Sequence, residues 1–294
     1  MKKLPKSIRT VGLIANPEKS HCQESLDHAI QNVLASGRNV AADIVTAQMS
    51  SCPIQSYPDF SSLARHSDLL LVFGGDGTML RVAREIAGLL TPILGIKAGG
   101  LGFLTAVTAD RLMEALERVW KGHYHLESRP MIEAKGMIHN ESFTQIALND
   151  IVIARSAASR MIELEVTVDD EILTRYRCDG LIVSSPTGST AYSLAAGGAI
   201  VCPAANVFAI TPICPHTLSN RSVIVSLNSN VQVKVLSQKL ETIMTADGQV
   251  PINLTAGSVV SIRRSRRRIR LIQLLGTSFF DTLRKKLSWS GSNL

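Results

Sequence analysis

From residue 1 to 124 the chain alternates between short apolar runs and stretches of helical periodicity. Arg9–Ala15 is an apolar run closed by Asn16-Pro17, as expected of a strand buried on both faces. Leu26, Ile30, Val33 and Leu34 then share one helical face, which Gly37 ends. Asn39–Val45 predicts a second strand, Asp68–Phe73 a third and Pro92–Ile96 a fourth. Between the last two, Met79, Val82, Ala83 and Ile86 recur at i, i+3, i+4 and i+7, and Leu112, Leu116 and Val119 mark a later helix. Such alternation predicts an α/β domain with a parallel sheet.

Past Gly122 the period changes. Ile162, Leu164, Val166 and Val168 alternate with Glu163, Glu165 and Thr167, and Val231, Val233 and Val235 repeat the pattern, which is strand spacing with one wet face. Asp169-Asp170 and Asp247-Gly248 stand where hairpin turns belong. The expected organisation is an α/β domain over 1–124, a β-rich domain over 125–275, and a helical tail over 276–294 that packs back on the first domain.

Composition narrows the class little. Hydrophobic residues are 45% and charged residues 19%, which is globular. No apolar run reaches the ~18–20 residues that span a bilayer, and the apolar stretch after Met1-Lys2-Lys3 is too short for a signal peptide. Cys22, Cys52, Cys178, Cys202 and Cys214 are odd in number and form no C-x-x-C pair, so reduced thiols in a cytoplasm are expected rather than disulfides or zinc. A net charge of +7 favours polyanionic ligands such as nucleotides.

The informative chemistry lies after the third strand, at Gly74-Gly75-Asp76-Gly77-Thr78. Glycines let a backbone approach a ligand and adopt φ > 0, and a helix start offers free N–H groups to phosphate. Asp76 is the unusual member. A carboxylate there repels phosphate unless it holds a metal ion or accepts a proton from an attacking hydroxyl. The plain alternative is a helix N-cap.

The strand–GGDGT–helix element resembles one shared by NAD kinases, diacylglycerol kinase-like lipid kinases and, in a variant, phosphofructokinases. Gly99–Thr105 (GGLGFLT), Asn149-Asp150, Arg177–Gly198 (RCDGLIVSSPTGSTAYSLAAGG), 211–221 (TPICPHTLSNR) and Thr245–Gln249 (TADGQ) resemble NAD kinase segments in the expected order. The resemblance implies a two-domain NAD kinase-like fold, with NAD lying between the domains and receiving a phosphate on its adenosine 2′-hydroxyl. Asp76 resembles the catalytic Asp, and Gly74, Gly75, Gly77 and Thr78 the phosphate-donor loop. ATP is the implied donor, with Mg²⁺ or Mn²⁺ on its phosphates. The NAD contacts carried over are Asp76, Gly77, Phe103, Asn149, Asp150, Arg160, Arg177, Asp179, Thr187, Thr190, Ala191, Tyr192, Ser193, Leu194, Ala195 and Gln249. Relatives are dimers or tetramers, so a homo-oligomer is expected.

The residues themselves leave alternatives open. Asn149-Asp150 reads equally as an Asx-turn, Tyr192 as a core side chain or a base-stacking ring, and the hydroxyls of 187–193 as ligands for a ribose or pyrophosphate. Arg177 is expected to offset charge near Asp179 from the same strand face. Lys97 stands where many relatives have another residue and bears on donor choice. His123 and His125 lack a third metal ligand, and His216 lacks a carboxylate partner. The Arg263–Arg270 run reads as a solvated strand face or subunit interface, since no aromatic residues interleave to stack bases; no nucleic acid and no membrane partner is expected. A lipid kinase, or a non-catalytic nucleotide- or RNA-binding protein, remains the rival reading.

Overall fold

The computed structural model describes residues 8–19, 22–97, 102–105, 107–138, 140–156, 160–216, 221–238 and 241–289. Two compact units emerge: one holds the chain up to Ser128 together with the part from Arg268 on, the other Arg129–Arg267.

The first unit opens with β1 (Thr10–Ala15), α1 (Cys22–Ala35), β2 (Asn39–Asp43), α2 (Ile44–Met49), β3 (Gln55–Tyr57), α3 (Phe60–Arg65), β4 (Leu69–Phe73), α4 (Asp76–Glu85), β5 (Ile93–Lys97), β6 (Val107–Thr108) and α5 (Leu112–Trp120). Its strands pair in parallel in the order β3-β2-β1-β4-β5. The chain order therefore reverses between β1 and β4, and such a switch point opens a crevice at the carboxyl ends of the two strands. β1 and β4 are almost wholly buried, and the core around them draws on Leu26, Ile30, Leu94, Leu116 and Val119. Burial on both faces is why they read as unbroken apolar runs.

Two details depart from the sequence pattern. β2 stops at Asp43, not Val45, because the Asp43 carboxylate accepts the N–H groups of Val45 and Thr46 and starts α2. α3 follows a second such cap, Asp59, which accepts from Ser62 N–H. Both helices have six residues, too few for periodicity to register.

The chain enters the second unit within β7 (Tyr124–Ile138) and leaves it within β18 (Val259–Leu274). Between them come β8 (Glu141–Ala147), β9 (Asp150–Arg155), β10 (Ile162–Val168), β11 (Glu171–Cys178), β12 (Gly180–Ser184), α6 (Tyr192–Ala195), β13 (Val207–Ile213), β14 (Val223–Ser226), β15 (Val231–Val235), β16 (Thr242–Ala246) and β17 (Gln249–Leu254). One sheet runs β14-β13-β12-β9-β16-β17, all antiparallel. The antiparallel strands β10, β11 and β15 and the start of β18 supply the facing side chains. Ile151, Leu181, Phe208 and Met244 from the first set pack against Leu164, Val166, Val233 and Ile262 from the second. The turns Asp169-Asp170 and Asp247-Gly248 both have positive φ at each residue, as two-residue hairpins require. α7 (Phe279–Lys286) belongs to the first unit. On β18, Arg263, Arg266, Arg267 and Arg268 are exposed while Ile269 and Leu271 are buried, so the arginine run lies on the outer face of a strand.

Candidate active site

In the first unit the site forms where β1 and β4 end. Asn16 N–H donates to Phe73 O at 3.0 Å, and Asn16 Nδ2 donates to Thr78 Oγ1 at 3.3 Å. Asn16 thus joins the two strand ends across the switch point. Sequence reading used it only as a strand terminator; its place at a carboxyl end was the available signal.

The glycines of the loop act differently from expectation. Neither Gly74, Gly75 nor Gly77 has positive φ. Gly75 is an extended N-cap and Gly77 already lies in α4. A Cβ on Gly74 would stand 2.4 Å from Thr78 Oγ1, so Gly74 is set by packing. A Cβ on Gly75 or Gly77 would meet nothing within 4 Å, which leaves open space over the first turn of α4.

Asp76 is the first residue of α4 and is not its cap. Its Oδ2 accepts Phe103 N–H at 3.0 Å and its Oδ1 accepts Leu104 N–H at 3.2 Å. The carboxylate is therefore aimed by the chain after β5, the segment resembling G-x-L-G-F-L-T, of which residues 99–101 lie outside the described residues, as does 98. A Cβ on Gly102 would lie 2.2 Å from Asp76 Oδ1 and 2.4 Å from Thr105 Oγ1. Gly102→Ala is accordingly expected to push the carboxylate off its amides and lower kcat by about 10–100-fold, the cost of local overpacking. Steady-state kinetics beside a thermal melt check this: wild-type kcat in a folded variant would show that the aim is unimportant.

In the second unit Asn149 and Asp150 lie at the start of β9, clamped from two sides. The Asp247 carboxylate accepts the N–H groups of Leu148 at 3.0 Å, Asn149 at 2.7 Å and Asp150 at 3.3 Å. From the other side Ser185 Oγ donates to Leu148 O at 2.6 Å, and Ser185 N–H donates to Asn149 O at 2.8 Å. Gly188 rests so close that a Cβ there would sit 2.3 Å from Asn149 O. The two motifs, far apart in sequence, share one wall. In the sequence Asp247 marks a turn within the TADGQ segment, and nothing local distinguishes a turn Asp from one that caps a distant strand.

The clamp leaves Asn149 Oδ1 buried with no hydrogen-bond partner among the described residues, although such atoms are normally satisfied. It is a ready acceptor for a ligand donor. Asp150, 4% exposed, has its carboxyl pushed up to about 7 by burial and by the neighbouring Asp247. A carboxyl raised on folding binds more protons folded than unfolded at mildly acid pH, so stability falls as pH rises from about 4 through 7. Asp150→Asn is expected to abolish that slope, gaining on the order of 4 kcal/mol above pH 7 and nothing near pH 4. Melts across pH test it; parallel curves for the two proteins would contradict the repulsion.

Other expected residues fall out as follows. Ser189 Oγ donates to Pro186 O, Thr190 Oγ1 to Thr187 O, and Ser193 Oγ bonds the Thr211 hydroxyl. The first two hydroxyls are engaged inside the loop and the third on β13, and Ser193 is fully buried. Tyr192 is 47% exposed and not a core ring; Ala191 and Leu194 are half-buried and Ala195 is exposed. β11 ends at Cys178, so Asp179 leaves its strand, and its charge partner is Arg155, not Arg177: Arg155 Nε donates to Asp179 Oδ1 at 2.8 Å. The cause is backbone pairing, since Arg155 N–H bonds Asp179 O. Arg177 and Arg160 are exposed, and Gln249, at the start of β17, is half-buried. His216 is exposed, and residues 217–220 lie outside the described residues. Among the described residues no group of three or more His, Cys, Asp or Glu side chains fits a metal ion, and no helix is long and apolar enough to cross a membrane.

Residues 11–124 match the family model of the ATP-NAD kinase N-terminal domain, and residues 148–274 that of the ATP-NAD kinase C-terminal domain. The chain belongs to the NAD kinase family. An NAD kinase of Moorella thermoacetica is 43% identical over 97% of this chain and 91% of its own; that of Syntrophotalea carbinolica is 43% identical over 86% of each. Among solved structures, yeast NADH kinase complexed with NADH superposes with a TM-score of 0.87 at 25% identity, covering 99% of this chain and 90% of that one. An Archaeoglobus fulgidus NAD kinase in complex with ATP, at 24% identity, covers 96% of this chain and all of its own with a TM-score of 0.76, and shares the fold. Neither rival reading, a lipid kinase or a non-catalytic binding protein, accounts for both NAD kinase domains in one chain.

Proposed function

We propose that the protein transfers the γ-phosphoryl group of ATP to the 2′-hydroxyl of the adenosine ribose of NAD, giving NADP, with Asp76 as general base. The observation that carries this reading is the state of Asp76. Two main-chain amides hold it at the open start of a helix, and no cation partner competes for it among the described residues. A carboxylate has about four lone-pair sites, so two amides leave room to accept a proton.

A secondary alcohol is a very weak acid, and proton transfer to Asp76 therefore comes late, as the bond to phosphorus forms. The open turn at Gly75–Thr78 faces the donor phosphates with main-chain N–H groups. Among the described residues no group of three or more His, Cys, Asp or Glu side chains would hold a resident metal ion, and the divalent ion enters with the donor as Mg–ATP. Asn149 Oδ1 accepts a hydrogen bond from the dinucleotide, and Asp150, Asp179 and the 187–195 loop line its place. A cytoplasmic, homo-oligomeric enzyme fits this reading.

Purified protein given NAD, Mg²⁺ and ATP is expected to form NADP; no NADP with ATP, another triphosphate or polyphosphate would overturn the proposal. Phosphorylation of a diacylglycerol instead would favour the lipid kinase.

A further inference from the structure

Arg129 has no place in the mechanism above, yet it is a charged side chain only 5% exposed, set against Thr187, 6% exposed, in the proposed NAD-binding loop. Burying a guanidinium is costly, and replacing a buried charge by an apolar group of similar size is often neutral or stabilising. Fold stability is therefore a poor reason for Arg129 to be there. Its Nη1 donates to Thr187 Oγ1 at 3.2 Å. The direction is forced, because a guanidinium has only donors.

A threonine hydroxyl has one hydrogen and two lone pairs. Once Arg129 occupies a lone pair, the Thr187 hydrogen must point elsewhere, and no acceptor takes it among the described residues. The next residue, Gly188, lies against Asn149, whose Oδ1 is the buried acceptor without a donor. We propose that Arg129 is a positioning residue that presents the Thr187 hydroxyl as a hydrogen-bond donor to the bound dinucleotide, beside the Asn149 acceptor. The inference rests on the reading that this loop holds NAD.

The test is a set of variants of the full chain, Arg129→Met, Arg129→Lys, Thr187→Val and the Arg129→Met/Thr187→Val double, with kcat and KM for NAD and for ATP. Losing a bond polarised by a charge is expected to raise the NAD KM about tenfold in Arg129→Met, with kcat and the ATP KM within about twofold. Arg129→Lys restores most of the affinity, since an ammonium also only donates. Adding Thr187→Val to Arg129→Met changes nothing more. An unchanged NAD KM in Arg129→Met, additive effects in the double variant, or equal loss for ATP overturns the proposal while wild-type NADP formation keeps the kinase reading intact. No NADP from wild type would remove both. If Arg129→Met does not fold, Thr187→Ser and Thr187→Val decide: an NAD KM that is the same for both overturns the proposal.

Discussion

Asp76→Asn is expected to lower kcat by about 10²–10⁴-fold, the usual contribution of a positioned general base, while NAD still binds with affinity within a few-fold of wild type. The carboxamide is close in size to the carboxylate, and its oxygen can keep one of the two amide hydrogen bonds from Phe103 and Leu104. Its NH₂ faces the other amide and cannot accept a proton from the ribose hydroxyl. The loss should therefore fall on kcat and leave NAD binding, which the proposal assigns mainly to the second unit. Initial rates of NADP formation together with calorimetric NAD titration separate the two. A variant retaining more than a tenth of wild-type kcat would exclude Asp76 as the base; a variant that no longer binds NAD would make it a scaffold residue instead. Gly102→Ala complements this test, because it keeps the carboxylate and disturbs only its aim.

Asp247→Ala is expected to lower stability by about 3–6 kcal/mol, since up to three buried N–H groups lose their acceptor at a cost of about 1–3 kcal/mol each. In a chain of this size that corresponds to a fall in Tm on the order of 10 °C. The measurement belongs near pH 5, where Asp150 holds its proton and no relief of repulsion offsets the loss. NAD binding should fail with it, because the same carboxylate sets the main chain at Asn149. Asp247→Asn keeps the Oδ1 acceptor for Asn149 and Asp150 and should lose only the Leu148 bond, with an effect about a third as large. An Asp247→Ala protein that melts with wild type and binds NAD would reduce Asp247 to a turn residue.

Much of this protein could be read from residues close in sequence. The parallel sheet was legible because β1 and β4 are buried on both faces and so leave unbroken apolar runs. The hairpins at Asp169-Asp170 and Asp247-Gly248 were legible because positive φ restricts the residue types that fit. Asp76 stood out because a carboxylate among glycines before a helix conflicts with phosphate unless it has chemistry to do. All three signals are local, arising within a few residues of chain.

Tertiary structure alone decided the rest. Asp43 and Asp59 ended or began elements by capping, which leaves no periodicity. The reason for Gly74 and Gly102 is steric contact, with Thr78 in one case and Asp76 in the other, and neither neighbour could be inferred from a glycine-rich run. Asp179 found Arg155 across β12 and β9, where the sequence offered Arg177 two positions away. Asp247 and Arg129 act on residues 97 to 99 and 58 positions distant. A hydrogen bond depends on separation in space, and sheet pairing sets that separation independently of distance along the chain. The composition and order of the motifs thus determined the family and singled out the carboxylate proposed as the base, whereas the groups that hold that carboxylate and Asn149 in place emerged only once the strands were paired.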